Sequence, residues 1–349
     1  MTTTGIAGAQ RVDHVALTVT DLDAAVTFVV EVLGGEVVYR LPPLAHDDDW
    51  MLEHLDVPPR SAAEIALIRL GPTTNLELFQ YSGPGRNTTA PGWHDPGHQH
   101  LGLLVPAVAE AADAVLRLGG LLPQGPIRVA EAPSPLAGAS FARFRTPWAL
   151  SFELRSMPEH GSPAGRYRAP ARWTNGAAGR SAAPPIPGLR GLDHIGYSVA
   201  DLDAALAVFV DVLGGELLVR GTDKAGEVPV EIAVLRLGPT ENVELSAYAQ
   251  PGLVAAPPRN CDIGGRHLAL HVRDVDAAAA DLAVRPGFTQ LGQPETIADG
   301  PIAGDRWVYV RSPIGLHLEL VRMPDGDLPY EASTSARRRA AGTARWSDR

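Results

Sequence analysis

The sequence predicts an α+β fold of four βαβββ modules paired into two domains, with curved mixed sheets that form metal-binding cups. Three observations carry this expectation. A segment of 28 residues, DHVALTVTDLDAAVTFVVEVLGGEVVYR from Asp13 to Arg40, returns as DHIGYSVADLDAALAVFVDVLGGELLVR from Asp193 to Arg220, with about half of the positions identical. Short stretches alternate apolar and polar residues with the period of two that marks a strand, and stretches with helical spacing come between them. A His–Glu–His–Glu set occurs twice on those strands, as His14, Glu77, His100 and Glu153, and as His194, Glu244, His267 and Glu319.

The elements follow in order. His14–Val19 alternates as a strand, and Asp21-Leu22-Asp23 offers a helix cap with an acidic first turn. Helix-spaced apolar residues run from Ala24 to Leu33, and Gly34-Gly35 ends them. Three strands are expected next, at Glu36–Leu41, Ala63–Leu70 and Asn75–Tyr81. The same order returns from His100, with a helix over Ala107–Leu118 and strands near Phe141–Thr146 and Ser151–Met157. It begins again from His194 and from His267, where Asp274-Val275-Asp276 opens the last helix. Repeats of this size indicate duplication of whole modules and not a solenoid, whose period would be about 20–50 residues.

The expected domains are residues 10–157 and 190–325, each of two modules. A linker rich in Pro, Gly and Ala covers 158–189, and a tail without periodicity covers 326–349. Consecutive modules are expected to pair, because the connection from Tyr81 to His98 is short. The net charge of −10 and pI near 5.5 argue against a nucleic-acid or anionic-membrane partner. A single cysteine, Cys261, leaves no intrachain disulfide and no thiolate zinc site. MTTTGIAGAQ lacks the pattern of a signal peptide, and no apolar run has the length of a membrane span, so the expected location is cytoplasmic.

Strand parity places the polar set. Val15, Leu17 and Val19 share one face of the first strand and suit packing under a helix, while His14, Ala16 and Thr18 share the other. Glu77 lies between Leu76 and Leu78, His100 precedes Leu101 and Leu103 in alternation, and Glu153 lies between Phe152 and Leu154. The second set obeys the same parity. A single histidine that opens a strand could be an ordinary polar residue, but eight residues in matched contexts point to a ligand set for a borderline divalent ion. Ni, Co, Mn, Fe and Zn all suit two imidazoles and two carboxylates. His98, His271 and His317 share parity with neighbouring ligands and are expected beside the metals as supporting groups. The segment HDDDWMLEH, from His46 to His54, is a candidate lid.

With DHVALTVTDLDAAVTFVVEVLGG, NLELFQY and FELRSM in view, the chain resembles the vicinal oxygen chelate superfamily of glyoxalase I, methylmalonyl-CoA epimerase, extradiol dioxygenases and fosfomycin- and bleomycin-resistance proteins. The resemblance implies a divalent ion with open adjacent positions, bound by each His–Glu–His–Glu set. It also implies a small-molecule substrate with adjacent oxygens, and it allows a homodimer. Such an ion would polarise a carbonyl while Glu77, Glu153, Glu244 or Glu319 removes the α-proton as catalytic base. The expected function is therefore a metal-dependent epimerase or isomerase, and a cyclitol such as 2-epi-5-epi-valiolone is one substrate the resemblance admits. A glyoxalase I-like lyase, an extradiol or α-keto-acid Fe(II) dioxygenase and a bleomycin-resistance-like binding protein are the alternatives.

Overall fold

Local sequence signals build each module as expected. In β1 (Ala9–Thr18), Val15 and Leu17 enter the main core, whereas Ala16 belongs to a separate cluster on the opposite face. Asp21 caps α1 (Leu22–Glu31), its carboxylate accepting from the Ala24 amide at 2.9 Å. Gly34, at φ 87°, turns the chain out of the helix. A Cβ on Gly35 would stand 2.7 Å from Ile68 Cγ2, so the second glycine lets the helix end lie close against the sheet.

The computed structural model describes residues 5–70, 74–158, 185–238, 241–250, 252 and 256–324. Most of the expected linker and all of the expected tail fall outside the described residues. Module one continues through β2 (Glu36–Ala45), a short helix α2 (Trp50–Leu55), β3 (Ala62–Leu70) and β4 (Thr74–Ser82). Module two contains β5 (Gln99–Leu104), α3 (Val108–Leu118), the two-residue strands β6 (Leu122–Pro123) and β7 (Arg128–Val129), β8 (Ser140–Arg145) and β9 (Ser151–Ser156). Module three contains β10 (Gly191–Ser198), α4 (Leu202–Leu206) running into a π-helical turn at Ala207–Val212, β11 (Glu216–Ala225), β12 (Val228–Leu237) and β13 (Glu241–Tyr248). Module four contains β14 (Arg266–Val272), α5 (Val275–Ala283), β15 (Thr289–Thr296), β16 (Arg306–Arg311) and β17 (His317–Arg322). No described helix is long and apolar enough to cross a membrane.

The pairing of modules differs from the expectation. One sheet has the order β15-β16-β17-β14-β1-β4-β3-β2 and joins module one to module four. The other has the order β11-β12-β13-β10-β5-β9-β8-β6 and joins module two to module three. Neither half of the sequence makes a cup by itself. The 16 residues between Ser82 and Gln99 could reach about 50 Å if extended, so a short sequence separation does not hold module two beside β4. Each module ends its own sheet at its first strand, and antiparallel pairing of β1 with β14 and of β5 with β10 covers those open edges. Consecutive modules meet instead through their apolar faces. The Phe28 ring of α1 lies 5.5 Å from Phe152 on β9 and 5.7 Å from Trp148.

Because both sheets cross between the halves, a chain cut between Pro158 and Pro185 should stay one particle. Size-exclusion chromatography after cleavage at an inserted protease site would check this, and two separate species would contradict the sheet order.

Candidate metal centre

Strand parity and sheet order together bring four of the expected ligands to one point. In the first cup, His14 on β1 and His267 on β14 lie on the two central strands. Glu77 on β4 and Glu319 on β17 flank them, one on each side. His14 Nε2 lies 3.1 Å from Glu77 Oε2, 3.0 Å from Glu319 Oε2 and 3.1 Å from His267 Nε2. His267 Nε2 lies 3.3 Å from Glu77 Oε2 and 3.2 Å from Glu319 Oε2. All four side chains are buried, Glu319 the least at 9% exposure.

The outer ring nitrogens face groups that suit a proton on Nδ1, a carboxylate that only accepts and a hydroxyl that can accept. His14 Nδ1 lies 3.0 Å from Asp13 Oδ2, and His267 Nδ1 lies 3.1 Å from the Tyr309 hydroxyl. With the ring proton on each Nδ1, both Nε2 atoms turn lone pairs toward two carboxylate oxygens. Bonds of about 2.0–2.2 Å put adjacent ligands of an octahedral ion about 3 Å apart, which is the spacing found here. The donor set therefore fits a divalent cation. Proton binding obeys the same electrostatics. Burial works to lower the His14 pKa, but Glu77, Asp13 and Glu319 raise it well above 6.5. Burial works to raise the Glu77 pKa, but His14 and His267 bring it down to about 2.

A roof of module one covers this cup. The candidate lid forms α2, whose Met51 and Leu55 pack with Ala16, Phe79, Tyr81 and Tyr309. Trp50 stacks between His46 and His54 at 4.1 and 4.6 Å, and its indole donates to Glu295 Oε1 at 3.0 Å. At the other end of the helix Asp56 accepts from Arg311 at 2.9 Å and lies 3.4 Å from His317 Nε2. The lid thus belongs to module one and is fastened to module four. His317 stands at this clasp. His271 lies farther along β14, where its Nδ1 is 3.0 Å from Gln10 Oε1.

The second cup contains the other four expected ligands in a different arrangement. His194 Nε2 lies 3.3 Å from His100 Nε2, and His194 Nδ1 lies 3.0 Å from Asp193 Oδ2, as in the first cup. Ligand atoms of His100, Glu153 and His194 come within 4.8 Å of one another, a group that does not include Glu244. The carboxylates instead meet arginine. Arg155 donates to Glu153 Oε1 through Nε at 3.0 Å and Nη2 at 2.7 Å, and its Nη2 lies 2.6 Å from Glu244 Oε2. Arg143 Nε donates to Glu153 Oε2 at 3.0 Å. Burial acts against ionisation of Glu153, but Arg155 and Arg143 hold its pKa well below the usual carboxylate range. Burial, helped by the neighbouring His194, His98 and Arg143 and opposed by Glu153, keeps the His100 pKa well below 6.5. His98 stands beside this cup, its ring 5.9 Å from that of His100 and 4.4 Å from Trp93.

All eight expected residues therefore face two cups, but each cup draws on both halves of the sequence. Asp13, Asp193, Tyr309, Asp305, Arg143 and Arg155 were not expected at the sites. The Asp-His dipeptide at the start of both repeats was a legible sign of the two aspartates. Asp305 is buried, and burial followed by the charges of Glu319 and Asp13 pushes its carboxyl up to about 9. A position-by-position comparison of modules two and four would have found the arginines, since Arg143 and Arg155 stand where module four has Tyr309 and Val321.

Two curled two-module sheets with polar residues in their cups define a class, and the chain belongs to the glyoxalase/bleomycin resistance protein/dioxygenase superfamily. Family models of that description match residues 11–148 and 193–303. The 2-epi-5-epi-valiolone epimerase of an Actinomyces species is 48% identical over 164 residues, which cover 44% of this chain and 89% of that protein. The crystal structure of glyoxalase I from Zea mays has a TM-score of 0.54 at 18% identity, covering 90% of this chain and 92% of that one. A candidate dioxygenase from Bacillus subtilis has a TM-score of 0.55 at 14% identity, covering 95% and 89%. At these identities the two structures speak for the fold alone.

The cups should respond differently to loss of a carboxylate. Glu153→Gln leaves Arg155 and Arg143 short of a buried countercharge and should cost about 3–5 kcal/mol in denaturant unfolding. Glu77 has a folded pKa below its ordinary 4.5. In metal-free protein its contribution to stability is complete above that value and is lost as pH falls toward about 2. Glu77→Gln should accordingly flatten the pH dependence of the unfolding midpoint in that window.

Proposed function

We propose that the chain is a metal-dependent epimerase, with the first cup as its active site and a small hydroxyketone as its substrate. The observation that carries this reading is the convergence of two imidazoles and two carboxylates with no arginine or lysine among the described ion pairs of Glu77 and Glu319. The epimerase relative supports the same class of reaction, and a cyclitol ketone such as 2-epi-5-epi-valiolone suits it. His14, Glu77, His267 and Glu319 would hold one ion of Ni, Co, Mn, Fe or Zn, which when bound supplies Lewis-acid polarisation of the substrate carbonyl.

The chain's own groups do the rest. Asp13 and Tyr309 fix the orientation of the imidazoles through their Nδ1 atoms. Glu77 and Glu319 stand on opposite flanks of the β1–β14 pair. One carboxylate can take the α-proton from one face of the carbon while the other returns a proton to the opposite face, which inverts the centre. The apolar roof made by Met51 and Leu55 keeps water from the carbanionic carbon. A second carboxylate in the donor set favours proton transfer over the two-His, one-carboxylate iron site of an oxygenase. A purely ligand-binding role gives no reason for two buried carboxylates facing two imidazoles.

Solvent deuterium exchange at the α-carbon of a candidate hydroxyketone tests the reading. Glu77→Gln and Glu319→Gln should each slow exchange by about 10²–10⁴-fold, the usual cost of a lost general base. Glu153→Gln was expected from sequence to do the same, but with Glu153 bound to two arginines it should leave exchange close to wild type in the folded protein. Undiminished exchange in the Glu77→Gln/Glu319→Gln double variant would sink the proposed chemistry.

A further inference from the structure

The two cups share a donor set, but the second does not fit an ion. Its two carboxylates already have cations. Arg155 reaches both Glu153 and Glu244, Arg143 holds the second oxygen of Glu153, and Arg155 is only 1% exposed. A guanidinium carries its charge permanently and cannot give it up to make room for a metal. A second difference is independent of the arginines. Where the first cup has Ala16 and Ala269, the second has Gly196 and Gly102. A Cβ on Gly196 would stand 1.9 Å from His100 Cε1, and one on Gly102 would stand 1.9 Å from His194 Cε1. The imidazoles of the second cup therefore lie down on glycine backbone, in positions that a Cβ forbids.

We propose that Arg155, supported by Arg143, is a built-in replacement for the metal of the second cup, so that the chain holds one ion and not two. This rests on the reading of the first cup as a metal centre. The arginine pair neutralises Glu153 and Glu244 from within the fold and makes the second cup an ion-paired core. Residues 143 and 155 are the positions that decide whether the carboxylates of a cup are open to an ion. Tyrosine and valine, found at the matching places in the first cup, leave the carboxylates to the ion.

Equilibrium dialysis of the intact, metal-stripped protein against Co²⁺, followed by elemental analysis, separates the possibilities. Wild type should retain one equivalent. Zero equivalents would defeat the metal-centre reading itself, whereas two would defeat only the proposal for the second cup. His14→Ala/His267→Ala leaves the second cup intact and should retain no Co²⁺, and one equivalent kept by that folded variant would overturn the proposal. Arg143→Tyr/Arg155→Val should gain a second equivalent and a Co²⁺-dependent rise in Tm beyond that of wild type. A folded double variant that still binds one equivalent would also overturn it. Should that variant not fold, the His14→Ala/His267→Ala stoichiometry still decides.

Discussion

Electron-pair donors crowded into a buried space repel one another unless a positive charge sits among them. Both cups are organised around this constraint, and they meet it in different ways. In the first, each imidazole Nε2 lies 3.0–3.3 Å from the other and from both carboxylates, and Asp13 and Tyr309 stand behind them on the outer nitrogens. In the second, a guanidinium 2.7 Å from one carboxylate and 2.6 Å from the other supplies the charge from the chain itself. The difference between an open donor set and an ion-paired core thus rests on a few side chains carried by the same strands.

Position in the sheet sets the arrangement of the first cup. The histidines occupy the two central strands and the carboxylates the strands on either side, so the carboxylates flank the imidazole pair from opposite sides. The apolar faces of the same strands are filled by one continuous core that includes Val15, Leu76, Leu268 and Leu318. That packing fixes each ligand's direction, because a slip of one residue would turn a ligand into the core. The lid adds a further dependence between distant segments. Its helix grows from module one, but its clasps are Glu295, Arg311 and His317 of module four.

Much of this was legible in the sequence because it is local. Alternation told which face His14, Glu77, His267 and Glu319 would occupy, and Asp21 and Asp274 each cap a helix as the pattern of their neighbours indicated. The choice of partner module was not legible. β1 could pair its edge with the first strand of any other module, and the outcome depends on non-local packing such as Phe28 against Phe152. The fate of the second cup was hidden for another reason. Attention to the residues that recur between repeats passes over the ones that differ, and Arg143 and Arg155 are of the latter kind.

The exchanged pairing has a consequence for divergence. The relative that matches 89% of its own length to 44% of this chain is about half as long. Two identical two-module chains joined in this way would form two cups related by a twofold axis, and any substitution would enter both at once. Joining the halves into one polypeptide breaks that symmetry. Arginine at 143 and 155 alters one cup alone, and the donor set of the other is left as it was.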